Sequence, residues 1–280
     1  MSTLAATALG PVLALGLLAF GSQAQALPWS KAKPKAEAAA VKAAPATAQP
    51  RRKATAAERA AVGRMDPLAR AAFWGRELEI DAADAEAGVQ LSQALRGMGS
   101  YDDAVAAVQR TLAVAPDNTE ALLELAKAHV ARGQGFYAID PARRVAQLNP
   151  RDWRAPSLLG VAYEQAKRDD EALAAHRLAL SLAPDNPSVI SNLALFQATH
   201  GQSAEAEALL RRAIARPGAP MAVRQNLALV LGLQGRFDEA EKLARQDLPP
   251  ELVDNNMAWL RAATSTAPAS RSWQGVTRPQ

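Results

Sequence analysis

From about residue 85 to residue 248 the apolar and small positions of the chain recur with a period of 34. Leucines stand at Leu91, Leu125, Leu159, Leu193 and Leu227, and alanines at Ala104, Ala138, Ala172, Ala206 and Ala240. Prolines keep the same beat at Pro116, Pro150 and Pro184. Each period predicts two helices joined by a tight turn. Gly99, Gly133, Gly201 and Gly235 occupy that turn, where a positive φ suits glycine, and Lys167 takes the place in the third unit. The recurrent proline ends the second helix, because it lacks an N–H and clashes with the preceding turn. Asp117-Asn118, Arg151-Asp152 and Asp185-Asn186-Pro187 supply cap oxygens for the next first helix.

Taking the leucine as position 7, position 8 reads Ser92, Ala126, Gly160, Ala194 and Ala228. All are small, which fits two helices crossing closely, and the alanine at position 20 fits the same crossing from the second helix. A two-helix unit of 34 residues with this pattern is similar to the tetratricopeptide repeat, whose units bury their apolar stripes only against neighbours. The expected fold class is all-α, a tetratricopeptide-repeat superhelix of about five two-helix repeats with capping helices. Acids follow three of the turns, at Asp102-Asp103, Asp169-Asp170-Glu171 and Asp238-Glu239, where they cap the second helix or oppose its dipole. Pro156 falls in a first turn and is harmless there. Pro141 lies inside a second helix and predicts a late start capped by Asp140, or a kink. Asp66-Pro67 opens a capping helix with Leu68, Phe73, Trp74, Leu78 and Ile80. After Leu248-Pro249-Pro250, residues 251–263 form the last one, with Leu252, Met257, Trp259 and Leu260.

The ends of the chain read differently. Residues 1–26 hold no Lys, Arg, Asp or Glu, run apolar from Leu9 to Phe20 and end in Ala24-Gln25-Ala26, the pattern of a secretory signal peptide. This predicts export to the periplasm; the alternative is an uncleaved anchor in the inner membrane. Residues 27–55 form an Ala-, Pro- and Lys-rich linker without an apolar face, expected to be disordered. Seven basic residues and Glu37 give the linker +6, so the remainder of this +4 chain carries −2. The basic character belongs to the linker, and residues 31–53 are suited to weak contact with an anionic envelope surface. Nucleic acid is excluded as an expected partner, since the repeats have no basic excess and no recognition motif. The repeat domain spans 56–263, and 264–280 is a loose tail. There is no cysteine, which rules out disulfides, thiolate metal sites and a lipoprotein anchor.

No chemistry of catalysis is framed by the sequence. His129, His176 and His200 sit in three different units, two of them at packing positions. No phosphate loop, dinucleotide fingerprint or nucleophile elbow is present. The expectation is a non-enzyme without cofactor or metal. A protein-binding surface is easier to place, because the first helices of such repeats line a concave face. There Asn192 and Asn226, one repeat apart, offer amides to a bound peptide backbone. Leu195, Leu229 and Leu233 lie beside them to receive apolar side chains, with Gln225 and Lys127 on the same face.

Two stretches carry a more particular likeness. Val223 through Arg236 (VRQNLALVLGLQGR) with Asp247-Leu248-Pro249-Pro250, and Arg151-Asp152-Trp153-Arg154 leading into Leu158 through Glu164, resemble the TadD-like tetratricopeptide proteins of tight-adherence (Flp-type) pilus assembly. The resemblance extends over roughly residues 66–261. It implies a periplasmic adaptor that assists assembly of a Flp/Tad pilus secretion machine, with the pilus secretin or an associated envelope protein as partner. Such proteins are often lipid-anchored, and this chain, lacking cysteine, departs from that. The alternative is a general periplasmic scaffold that recruits cell-wall or cytochrome-maturation components.

Overall fold

The computed structural model describes residues 52–265. The expected signal peptide, most of the linker and nearly all of the C-terminal tail lie outside the described residues. Among the described residues there are thirteen helices and no strand, grouped in two compact units that meet in sequence at Gly133 and Gln134. The first unit holds α1 (Ala56–Val62), α2 (Pro67–Ile80), α3 (Ala85–Gly97), α4 (Tyr101–Val114) and α5 (Thr119–Ala131). The second holds α6 (Gly135–Leu148), α7 (Arg154–Gln165), α8 (Asp169–Leu182), α9 (Pro187–Thr199), α10 (Ser203–Ile214), α11 (Met221–Leu233), α12 (Phe237–Ala244) and α13 (Pro250–Ser265). The sequence reading placed one domain over 56–263; the division falls between the two helices of its second repeat.

The small residues act as expected. All five alanines at position 20 are fully buried, and Ser92, Ala126, Gly160, Ala194 and Ala228 are all buried at the facing position. Ser92 Oγ donates to the Ala104 carbonyl at 2.8 Å, which ties the two positions together directly. The turn glycines adopt φ between 73° and 81°, and Lys167 adopts φ 61°. For a residue with a Cβ this left-handed conformation carries roughly 1–2 kcal/mol of strain.

Side-chain caps hold some of the first helices but not α7 or α11. Helix α7 starts from Trp153 without a side-chain cap bond; Asp152, expected to cap it, instead accepts from the Arg154 N–H, and α11 starts from Pro220. Asp66, Asp84, Asn118 and Asn186 accept a backbone N–H from the first turn of α2, α3, α5 and α9. The second helices α4, α6, α8, α10 and α12 have no side-chain cap bond. In α4, α8, α10 and α12 acids sit inside the first turn instead, so they oppose the helix dipole rather than cap it. Pro141 overturns its expectation of a late start: α6 begins at Gly135 and runs through it to Leu148. The bond Pro141 cannot make would have run to the Tyr137 carbonyl. Its ring is buried, so packing offsets that loss.

Helix α1 is absent from the sequence reading, although Thr55 and Glu58 form a reciprocal capping box at its start. It closes the first unit by packing Val62 against Trp74 and Ala87. Arg59 on α1 reaches Glu77 at 2.6 Å and Asp84 at 2.5 Å, with all three side chains largely or fully buried. Residues 52–55, read as the end of the linker, join this network. Lys53 pairs with Asp81 and Asp84, Arg52 with Glu58, and the Ala54 N–H donates to Glu77. At the other end of the chain, α13 buries Val253, Met257 and Leu260, with Leu252 exposed and Trp259 partly buried.

Candidate functional site

In the second unit the first helices touch one another in the order α7, α9, α11. The residues at positions 5, 6 and 9 of these helices are Ser157, Leu158, Val161, Ser191, Asn192, Leu195, Gln225, Asn226 and Leu229. None is ionisable. The two asparagines follow one rule: Asn192 Nδ2 donates to Ser157 Oγ at 3.0 Å, and Asn226 Nδ2 donates to Ser191 Oγ at 2.9 Å. Each amide spans to the preceding first helix, 35 residues back. The sequence expectation offered these amides to a peptide; in the fold each also has a partner inside the chain. Asn226 is only 7% exposed, and each amide gives one N–H to the preceding repeat, which holds adjacent repeats in register. The spacing of Ser157 to Asn192 and Ser191 to Asn226 was the signal available in the sequence.

Gln225 stands where the next serine would stand. One period after Asn226 stands Leu260 rather than an asparagine, and the Gln225 Nε2 is buried without a hydrogen-bond partner. Leu195, Leu229 and Leu233 are partly exposed, and the latter two also pack against the core shared by α9 to α13. Lys127 lies on α5 of the first unit. Its ammonium lies 3.8 Å from Glu124, a buried carboxylate that also accepts from Arg96 Nε at 2.6 Å. The first unit's inner helices thus present polar chemistry. A shallow groove there is lined by Glu86, Val89, Gln90, Gln93, Asn118 and Glu120. The groove of the first unit carries ionisable groups, whereas positions 5, 6 and 9 of α7, α9 and α11 carry none.

The histidines serve packing. Burial, and next the nearby Arg132, push the His129 imidazole below its ordinary value. His200 stacks on Phe196 with centroids 4.0 Å apart, and its Nδ1 lies 2.7 Å from the Phe196 carbonyl. His176 is fully buried against Glu164, a pair the sequence reading did not connect. Glu164 at position 12 and His176 at position 24 face each other across the glycine at position 8, and that glycine was the clue. Among the described residues no group of three or more His, Asp or Glu is placed to hold a metal ion. No helix among them is long and apolar enough to cross a membrane.

Comparison with known proteins agrees with this geometry. Tetratricopeptide-repeat sequence profiles match residues 89–135, 138–187 and 221–248. The cellulose synthase operon protein C of Pseudomonas fluorescens (strain SBW25) is 32% identical over 129 residues, 45% of this chain and 10% of that protein. The chain therefore spans about a tenth of that relative. The crystal structure of TTC0263, a thermophilic tetratricopeptide protein of Thermus thermophilus, is similar with a TM-score of 0.57. It is 23% identical, covering 64% of this chain and 99% of that one. Residues 41 to the end of MamA from Desulfovibrio magneticus RS-1 give a TM-score of 0.49 at 20% identity, covering 56% and 89%. The 34-residue beat, the buried position-20 alanines and the matches to repeat profiles and to the Thermus protein together establish that the chain is built of tetratricopeptide repeats and has their all-α fold.

Proposed function

We propose that the chain is a non-enzymatic adaptor of the bacterial envelope and that the α7–α9–α11 face of its second unit takes an apolar, uncharged segment of a client protein. One observation carries this reading: positions 5, 6 and 9 of α7, α9 and α11 hold no ionisable group, while Leu158, Val161, Leu195 and Leu229 stay partly exposed. Leaving such side chains in water forfeits about 25 cal/mol for each Å² a partner would cover. The internal use of Asn192 and Asn226 makes this face rigid before binding, which lowers the ordering penalty of association.

The resemblance to TadD-like proteins supports a client in a tight-adherence pilus machine, the secretin or an associated envelope protein. The apolar N-terminal run supports a periplasmic location. A second reading, a scaffold in another envelope process, is favoured by the 32% likeness to the cellulose synthase operon protein over 129 residues. Calorimetry of the purified chain against the secretin periplasmic region tests the first. Binding that weakens tenfold or more in Leu195→Glu, with unchanged helicity, is the expected result. No binding by the wild-type chain, together with normal piliation of a deletion strain, rejects the pilus client and leaves the second reading.

A further inference from the structure

The outer positions of the second helices follow a rule that α6 breaks. Positions 18 and 19 are exposed in all five units. Four units fill them with Asp102-Asp103, Asp170-Glu171, Ala204-Glu205 and Asp238-Glu239. The second unit puts Phe136 and Tyr137 there, 69% and 61% exposed, with their rings edge to face and centroids 5.6 Å apart. In the first and fifth units an aromatic stands one place earlier, as the partly buried Tyr101 and Phe237. In the second unit that place is Gly135, where an added Cβ would clash with the Ala162 carbonyl oxygen and stand 2.6 Å from Gln165 Cβ. No side chain fits there, and the aromatics of this unit stand at the two outward positions instead.

Along α6 the exposed residues form one stripe. Phe136, Asp140, Arg143 and Gln147 are spaced i, i+4, i+7 and i+11, with Tyr137 and Arg144 along one edge. The other side of the helix, with Gly135, Ala138, Ile139, Ala142 and Val145, is buried. The chemistry along the stripe runs aromatic, acid, base, amide. Asp140 pairs with Arg143 in its own helix at 3.0 Å, and their side chains stay 88% and 47% exposed. Arg143 also lies 3.5 Å from the Tyr163 hydroxyl.

We propose that α6 is a self-association helix, and that two copies of this chain meet antiparallel through the stripe of residues 136–147. The stripe is its own complement when reversed. A two-fold axis between residues 141 and 142 sets Asp140 of each copy against Arg143 of the other. Phe136 then meets Gln147 and Tyr137 meets Arg144, and every contact is made twice, as a two-fold interface requires. A guanidinium over an aromatic face is attracted by the ring quadrupole. The charges select the second copy as occupant. A client of one charge sign meets repulsion at Asp140 or at Arg143 and Arg144, whereas the reversed stripe matches at each place. A contact one helix wide falls short of the roughly 1,200 Å² of a stable interface, so a dissociation constant on the order of 10 μM is expected. The stripe includes none of the positions proposed for the client, so the inference holds whichever client the repeats take.

Sedimentation equilibrium of the full chain from about 1 to about 200 μM tests this, a range that brackets the expected constant. The wild type should pass from monomer to dimer across it. Phe136→Asp combined with Tyr137→Glu gives α6 the acids that α8 and α12 carry at the same positions. That variant should keep wild-type helicity and dimerise at least about tenfold more weakly. Asp140→Arg and Arg143→Asp each set like charges together and should be monomeric alone. An equimolar mixture of these two variants restores both opposite-charge contacts and should dimerise as the wild type does. If Arg143→Asp does not fold, the aromatic variant decides alone. A wild type that stays monomeric throughout, an aromatic variant that dimerises like the wild type, or a mixture no better associated than its folded parts overturns the proposal.

Discussion

Replacing Gly160 by alanine adds one methyl group, and the structure says where it goes. The new Cβ would stand 2.5 Å from His176 Nδ1, inside any real contact distance. Helix propensity favours the change by about 1 kcal/mol, because glycine inside a helix is the costlier residue. Overpacking opposes it by about 1–3 kcal/mol. The imidazole cannot yield without disturbing its contact with Glu164, a hydrogen bond to a charged group contributing about 1.5–3 kcal/mol. The balance is a loss of roughly 2–4 kcal/mol, or about 4–16 °C in melting temperature for a chain of this size. Gly75, inside α2 with nothing within 4 Å of its added Cβ, is the matched control. Gly75→Ala should gain about 0.5–1 kcal/mol. Thermal melts of both variants by circular dichroism separate the terms. If Gly160→Ala melts at or above wild type, the helices at position 8 do not cross as closely as described and the packing argument fails.

Three further outcomes are expected. Asn226→Ala removes the buried bond to Ser191 and should destabilise the chain by about 0.5–1.5 kcal/mol; unchanged melting would return the amide to the role of a free ligand contact. Lys167→Gly relieves the left-handed strain at the third turn and should gain about 1 kcal/mol, read from chemical denaturation; a loss would mean the lysine side chain itself holds the turn. The last concerns acid. Burial pushes the Asp84 carboxyl up, but hydrogen bonds from Arg59, Lys53 and the Ala87 N–H outweigh it and hold the group well below the usual carboxylate range. A depressed folded value stabilises the fold above the unfolded value of about 3.9, and that stabilisation is lost as pH falls through the folded one. Exchange protection of α1 should therefore persist at pH 5 and drop below about pH 3.5, and a drop already complete at pH 5 would contradict the network.

What the sequence determined by itself is what repeats. Leu91, Ala104, Gly99 and Pro116 recur because every unit meets the same neighbours, so one residue type answers one local requirement in unit after unit. Fold class, helix order, the small-residue crossings and the left-handed turns all follow from that beat. The sequence did not determine contacts made once, between residues far apart in the chain. Asn192 and Asn226 read as groups for a ligand until the packing of α7, α9 and α11 brought Ser157 and Ser191 within 3.0 Å. Lys127 read as a free cation for a partner, and the fold sets its ammonium beside the buried Glu124 of its own helix. Nothing in the sequence joined Glu164 to His176; Gly160 lets the ring lie between their helices and meet that carboxylate. Pro141 was read by its missing N–H alone, whereas burial of its ring lets α6 run through it. Propensity and period are properties of a segment. Whether a polar group is satisfied or exposed depends on which segment the fold sets against it, and that is decided only in three dimensions.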